Sequence, residues 1–157
     1  MRYDQLPDEH RVLRYVPWSK LRKDENDNVL GVLGEAFQLR AEKDSYLSVT
    51  WCEYYHGASD ECLRCAAEAI RKSRNVGPKG QFAVAQVGLL RGFMQRAEIP
   101  IRALHQPEPD NPAHAAILRW PREEFELLEQ LVEEHWLLRL NKSEVDNLPP
   151  SDCLERR

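Results

Sequence analysis

Three prolines within six residues, Pro107, Pro109 and Pro112, constrain this chain more than any other feature. Each fixes its own φ and removes a main-chain donor, so the segment between His105 and His114 is stiff and is excluded from helix and from the interior of a sheet. What it joins is then easier to read. Residues 99–105 and 114–120 are apolar runs of strand length, and the loop between them reads as a wide hairpin or a crossover.

Elsewhere the pattern alternates between the two regular periods. Residues 11–18 alternate loosely enough for a first strand that Pro17 and Ser19 end. Residues 46–51 alternate cleanly, with Leu47, Val49 and Trp51 on one face and Ser48, Thr50 and Cys52 on the other. A helix is expected over 59–73, with Ser59 as N-cap, Asp60 and Glu61 in its first turn, and a buried stripe at 62, 65, 66, 69 and 70. The run 75–80 closes it. Residues 82–90 read as a buried strand, with helix as the alternative, and residues 35–41 fit neither period. Pro121 opens a second helix, expected over 121–138, whose inward stripe is Phe125, Leu128, Leu131, Val132 and Trp136. From Asn141 the chain is polar and carries Pro149 and Pro150, so 141–157 reads as a loosely held tail. The expected fold is a single α+β domain over 1–140, a mostly antiparallel sheet of four or five strands covered by the two helices.

Length and charge narrow the function classes. A chain of 157 residues, 42% hydrophobic and 31% charged, can bury one core, and it contains no apolar run near the ~20 residues of a membrane span. The polar N-terminal segment places it in the cytoplasm with reduced thiols. A net charge of −4 argues against a nucleic-acid partner. The basic residues Lys20, Arg22 and Lys23 run straight into Asp24, Glu25 and Asp27, and a second group lies at Arg71, Lys72, Arg74 and Lys79. The oligomeric state stays open at this level.

Four groups of residues carry chemical interest. Cys52, His56, Cys62 and Cys65 have ligand types and a spacing that suit tetrahedral zinc. Cys62 and Cys65 also fall on the apolar stripe of the first helix, where burial accounts for them without metal, so no metal is expected and zinc is kept as the alternative. Cys153 reads as a spare thiol. His105 and His114 could serve as a general acid and base. Their pairing resembles that of two-histidine phosphoesterases, although Pro107 and Ala116 stand where that family places hydroxyl residues. Arg14, Ser48, Thr50 and Glu53 resemble the arginine, Ser-x-Thr strand and glutamate of mono-ADP-ribosyltransferases, a resemblance that implies NAD as cofactor. His135 lies at the edge of the last helix's stripe and reads as a packed residue. P-loop, GxGxxG, GxSxG and HExxH motifs do not occur.

Residues 46–53 together with the segment Asn111-Pro-Ala-His-Ala-Ala-Ile resemble small bacterial proteins that carry no assigned activity. The expectation is a non-enzymatic accessory protein that binds larger protein partners, with Glu108, Asp110, Asn111 and Trp120 as its recognition residues. The alternative is a small enzyme or toxin-like effector using Arg14, Ser48, Glu53, His105 or His114. An interaction protein is expected to expose an apolar patch around Trp18, Trp120 or Trp136, and an enzyme to gather its polar candidates in one cleft.

Overall fold

The computed structural model describes residues 4–40, 43–136 and 138–156. Strands β1 (Arg11–Val16), β2 (Leu21–Lys23), β3 (Val29–Val32) and β4 (Tyr46–Trp51) precede helix α1 (Ser59–Ser73). Then come β5 (Gln81–Gln86), α2 (Val87–Arg96), β6 (Arg102–His105), β7 (His114–Leu118), α3 (Phe125–His135), β8 (Leu138–Leu140) and α4 (Lys142–Asp146). Six strands form one antiparallel sheet in the order β6-β7-β4-β1-β5-β8, and β2 and β3 form a separate hairpin. Among the described residues no helix is long and apolar enough to cross a membrane.

The loose alternation of β1 has a physical cause: both faces of the central strands are buried. Val12 and Val16 pack with Val49, Ala83, Ala85 and Ile117 under α2 and α3, whereas Leu13 and Tyr15 pack with Phe82 and Val84 under α1 and α4. The second cluster takes nothing from β6 or β7. The β4–β7 side of that face, where Ser48 and His114 stand, is therefore left for other chemistry.

The architecture agrees with the expected mixed antiparallel fold but has six strands in its main sheet, one more than the upper expectation. The additional strand is β8, which pairs Leu138–Leu140 with Val84–Phe82 along the edge of β5. An edge of unpaired amides and carbonyls attracts any extended segment within reach, and three residues leave too little periodicity to be noticed. For the same reason α3 stops at His135 instead of continuing to 138. It also starts late, because Glu123 sits at φ 38° and Glu124 at ψ 62°, outside helical geometry. Phe125, expected on the inward stripe, is 54% exposed, while Leu128, Leu131, Val132 and Trp136 are buried. The ring of His135 packs edge-on against Phe93. Residues 82–90 divide between the two readings: strand to Gln86, helix from Val87. Helix α1 has the expected bounds, but its cap is Ala58, whose N–H donates to the Glu61 carboxylate at 2.9 Å.

The segment expected as a loose tail is fastened to the body. Cys153 forms a disulfide with Cys65 of α1, which corrects both the spare-thiol reading and the expectation of reduced thiols. Around it the His56 N–H donates to the Leu154 carbonyl, the Arg156 N–H donates to the Tyr54 carbonyl, and Arg64 donates to the carbonyls of Asp146 and Leu148. Composition registers how polar a segment is, not which groups of the body lie waiting for its backbone.

A 3-10 turn at Gly34–Phe37 sets up one wall of the site described below. The Gly34 N–H donates to the Glu129 carboxylate at 2.8 Å, and Trp120 Nε1 donates to the Phe37 carbonyl at 2.7 Å. The Phe37 ring stacks at 4.4 Å on Trp136. A Cβ at Gly34 would lie 2.9 Å from the Glu129 main-chain nitrogen, which cannot swing aside as a side chain would. Gly34→Ala is expected to destabilise the protein by about 1–3 kcal/mol in denaturant titration. An unchanged midpoint would show that this turn and α3 can separate freely.

Candidate active site

Antiparallel register decides which polar groups meet. β4 and β7 pair Ser48 with Ala116 and Thr50 with His114, so Ser48, Thr50 and His114 share one face, with Ser48 on the diagonal from His114. Thr50 is already occupied, its Oγ1 accepting from Asn111 Nδ2 at 3.0 Å. The His114 ring reaches Ser48 instead, and Nε2 lies 2.5 Å from the hydroxyl. The other ring nitrogen, Nδ1, lies 2.8 Å from the Gln106 carbonyl. A carbonyl only accepts, so the neutral ring carries its proton on Nδ1 and presents the Nε2 lone pair to the Ser48 O–H. His114 is 4% exposed, whereas Ser48 is open to solvent, so the base is sheltered and the hydroxyl accessible.

The pair faces a cleft of about 560 Å³ bounded by residues 38–40 and 43–50, the end of α1 and the proline loop. Glu108 Oε1 lies 3.8 Å from His114 Nε2. Arg14 lines the same cleft, and its position follows from the parting of two strands. β1 and β4 pair only at Val12↔Trp51 and Leu13↔Thr50. Beyond that point the Arg14 guanidinium bridges the gap, Nη1 donating to the Ser48 carbonyl at 2.7 Å and Nε to the Ala36 carbonyl at 3.0 Å. Burial, with Arg74 adding to it, pushes Arg14 down to about 10, opposed by Asp44. Asp44 is itself held down to about 2 by hydrogen bonds from Arg40.

Arg14, Ser48, His114, Glu108 and Asp110 are thus brought to one cleft. His105 is not. Its neighbour Gln106 stands opposite His114, so parity sends His105 to the other face, where Nε2 meets the Pro112 carbonyl at 2.8 Å and the ring packs against Trp51 and Tyr54. The two histidines form no acid–base pair. Glu53 lies elsewhere too, its carboxylate accepting from the Arg11 N–H at 2.6 Å and from Arg11 Nε at 2.7 Å. Asn111 lines the cleft but is buried, and it fastens the proline loop to Thr50 of β4. Trp120 is buried with its indole N–H committed to Phe37, so neither it nor Asn111 is an exposed recognition residue.

Sequence reading missed Tyr46, Arg40, Lys43, Asp44 and Arg74 as cleft residues. The last four come from a loop and a helix end that carry no motif, and only the packing of α1 over the sheet gathers them.

The zinc set does not assemble. Cys65 is in the disulfide, His56 is exposed, and Cys52 and Cys62 are buried free thiols. Among the described residues no group of three or more His, Cys, Asp or Glu is placed to hold a metal ion. Burial pushes the Cys52 thiol far up and raises that of Cys62, whose Sγ donates to the Tyr55 carbonyl. A thiol needs its thiolate to react. The native protein is therefore expected to consume no Ellman's reagent within minutes, and the protein unfolded without reductant to consume two equivalents. Rapid native reaction would show that one of these sulfurs is accessible.

No family model matches this chain, and no curated protein or solved structure matches it.

Proposed function

We propose that the protein is a small ester hydrolase in which Ser48 is the nucleophile and His114 its general base. The observation that carries this reading is the Ser48 hydroxyl held 2.5 Å from an imidazole whose tautomer the Gln106 carbonyl dictates, at the edge of an open cleft. The Ser48 proton passes to His114 Nε2 as Oγ bonds to the ester carbon. The same proton then passes to the departing alkoxide as the ester C–O bond breaks. Water repeats both transfers and returns Ser48 to its starting state. The cationic side of the cleft supplies the field that an oxyanion intermediate needs.

Two further observations favour an enzyme over an accessory protein. Trp120 and Trp136 are buried, and Trp18 is half-buried beneath the ammonium groups of Lys23 and Lys79, so the expected apolar patch is not built around them. Three of the five polar candidates, by contrast, gather in one cleft: Arg14, Ser48 and His114. The disulfide between Cys65 and Cys153 supports a reading in which the protein works in oxidising surroundings and not in the cytoplasm.

A second reading is NAD-dependent transfer, because Arg14, Ser48 and Glu108 share the cleft, with Glu108 in the role first given to Glu53. Release of nicotinamide from NAD that ceases in Glu108→Gln and persists in His114→Gln would favour it.

The test of the hydrolase reading is covalent. A fluorophosphonate probe is expected to add to Ser48 of the wild-type protein, not to Ser48→Ala, and far more slowly to His114→Gln. Mass spectrometry that places the adduct on another residue, or finds none, sinks the reading.

A further inference from the structure

The protein carries a net charge of −4, yet the cleft wall away from the proline loop is cationic, built from Arg14, Lys20, Arg40, Lys43 and Arg74. Among the described residues the acidic groups facing the cleft are fewer and differently committed. Asp44 is engaged by Arg40, and Glu108 and Asp110 belong to the proline loop, Glu108 3.8 Å from His114. Arg14 is the unusual member. Its hydrogen bonds go to two main-chain carbonyls, Nη2 bonds to none of the described residues, and none of their carboxylates forms an ion pair with it. A half-buried guanidinium with a nitrogen to spare suits a carboxylate or a phosphate. Arg74, at the end of α1, adds a second positive group close enough to disfavour the charge on Arg14.

We propose that this wall is an oxyanion subsite whose ligand is a phosphate group carried by the substrate, so that Ser48 and His114 act on a small phosphate-bearing ester. The inference rests on reading the cleft as a substrate site and adds the chemical class of the substrate. A dianion matches several convergent cations better than a single carboxylate does, and Nη2 of Arg14, the nitrogen that its two carbonyl bonds leave over, can donate to a phosphate oxygen. A cleft of about 560 Å³ accommodates a ligand of mononucleotide size. The phosphate settles at Arg14 and Arg74 while the ester carbon lies at Ser48, and the acidic lip at Glu108 and Asp110 repels a phosphate bound the other way round.

Calorimetric titration of the intact protein with inorganic phosphate provides the test. Wild type is expected to bind one phosphate, Arg14→Met to bind it at least tenfold more weakly with an unchanged circular dichroism spectrum, and Arg74→Gln severalfold more weakly. Ser48→Ala is expected to bind as wild type does. If Arg14→Met does not fold, Arg74→Gln decides. No binding to wild type at millimolar phosphate, or equal binding by wild type and the arginine variant that decides, overturns the subsite. Fluorophosphonate labelling of Ser48 without phosphate binding would overturn the subsite alone, and phosphate binding without labelling would overturn the hydrolase reading alone.

Discussion

Replacing Cys65 and Cys153 together by alanine is expected to lower the stability of this protein by about 3–4.5 kcal/mol and its Tm by roughly 10–15 °C. The size follows from the separation of 88 residues between the two sulfurs, because a cross-link that closes so long a loop removes much of the freedom of the unfolded chain. The bond also closes the C-terminal segment over Tyr54, where Tyr54 Oη donates to Glu155 and the Arg156 guanidinium lies 4.9 Å from the Trp51 ring centroid. Deleting residues 144–157 removes these contacts together with the Arg71–Asp146 ion pair, so the deletion is expected to cost at least as much as the double substitution. Thermal unfolding of the wild type with and without reductant, beside both variants, measures it. A shift below about 2 °C on full reduction would show that the tail docks equally well without its link, and that 141–157 behaves as its composition suggests.

Ser48→Ala is expected to reduce turnover of a phosphate-bearing ester by about 10³–10⁴-fold, close to 4–5.5 kcal/mol of transition-state stabilisation. His114→Gln is expected to fall in the same range, because the hydroxyl without its base is a poor nucleophile. The diagnostic result is the double variant. Two residues that act as a unit lose their contribution once, so Ser48→Ala with His114→Gln is expected to be no slower than either alone. Glu108→Gln, whose carboxylate lies 3.8 Å from Nε2, removes only a favourable field and is expected to cost about tenfold. Full turnover by Ser48→Ala, or strictly multiplicative losses in the double variant, would falsify the dyad.

The elements most legible in the sequence were those in which a single period governs. β4 keeps its alternation because each of its faces has one character over Leu47–Thr50, and α1 keeps its stripe because its first turn carries the acids that favour it. Where two periods abut, as at Gln86 and Val87, one apolar run fed both a strand and a helix, and local pattern had no means to divide them. β8 and the docked tail were illegible for a different reason. Both are short polar-flanked segments whose conformation is set by unpaired backbone groups elsewhere in the chain, at the edge of β5 and around Tyr54.

The candidate site divides along the same line. By itself the sequence determined the residue types and their faces: Ser48 and Thr50 on one face of a strand, His114 at the foot of another, and a stiff loop between His105 and His114. Only the tertiary structure decided which of them meet. The β4–β7 register set His114 diagonal to Ser48, strand parity turned His105 away, and the Thr50–Asn111 hydrogen bond left Ser48 as the free hydroxyl. The parting of β1 from β4 brought Arg14 alongside, and the packing of α1 set Arg74 in the same cleft. Faces follow from bond geometry within one strand, which any sequence displays. Register, strand order and helix placement follow from burying two apolar faces at once, and that balance is struck only when the whole chain has folded.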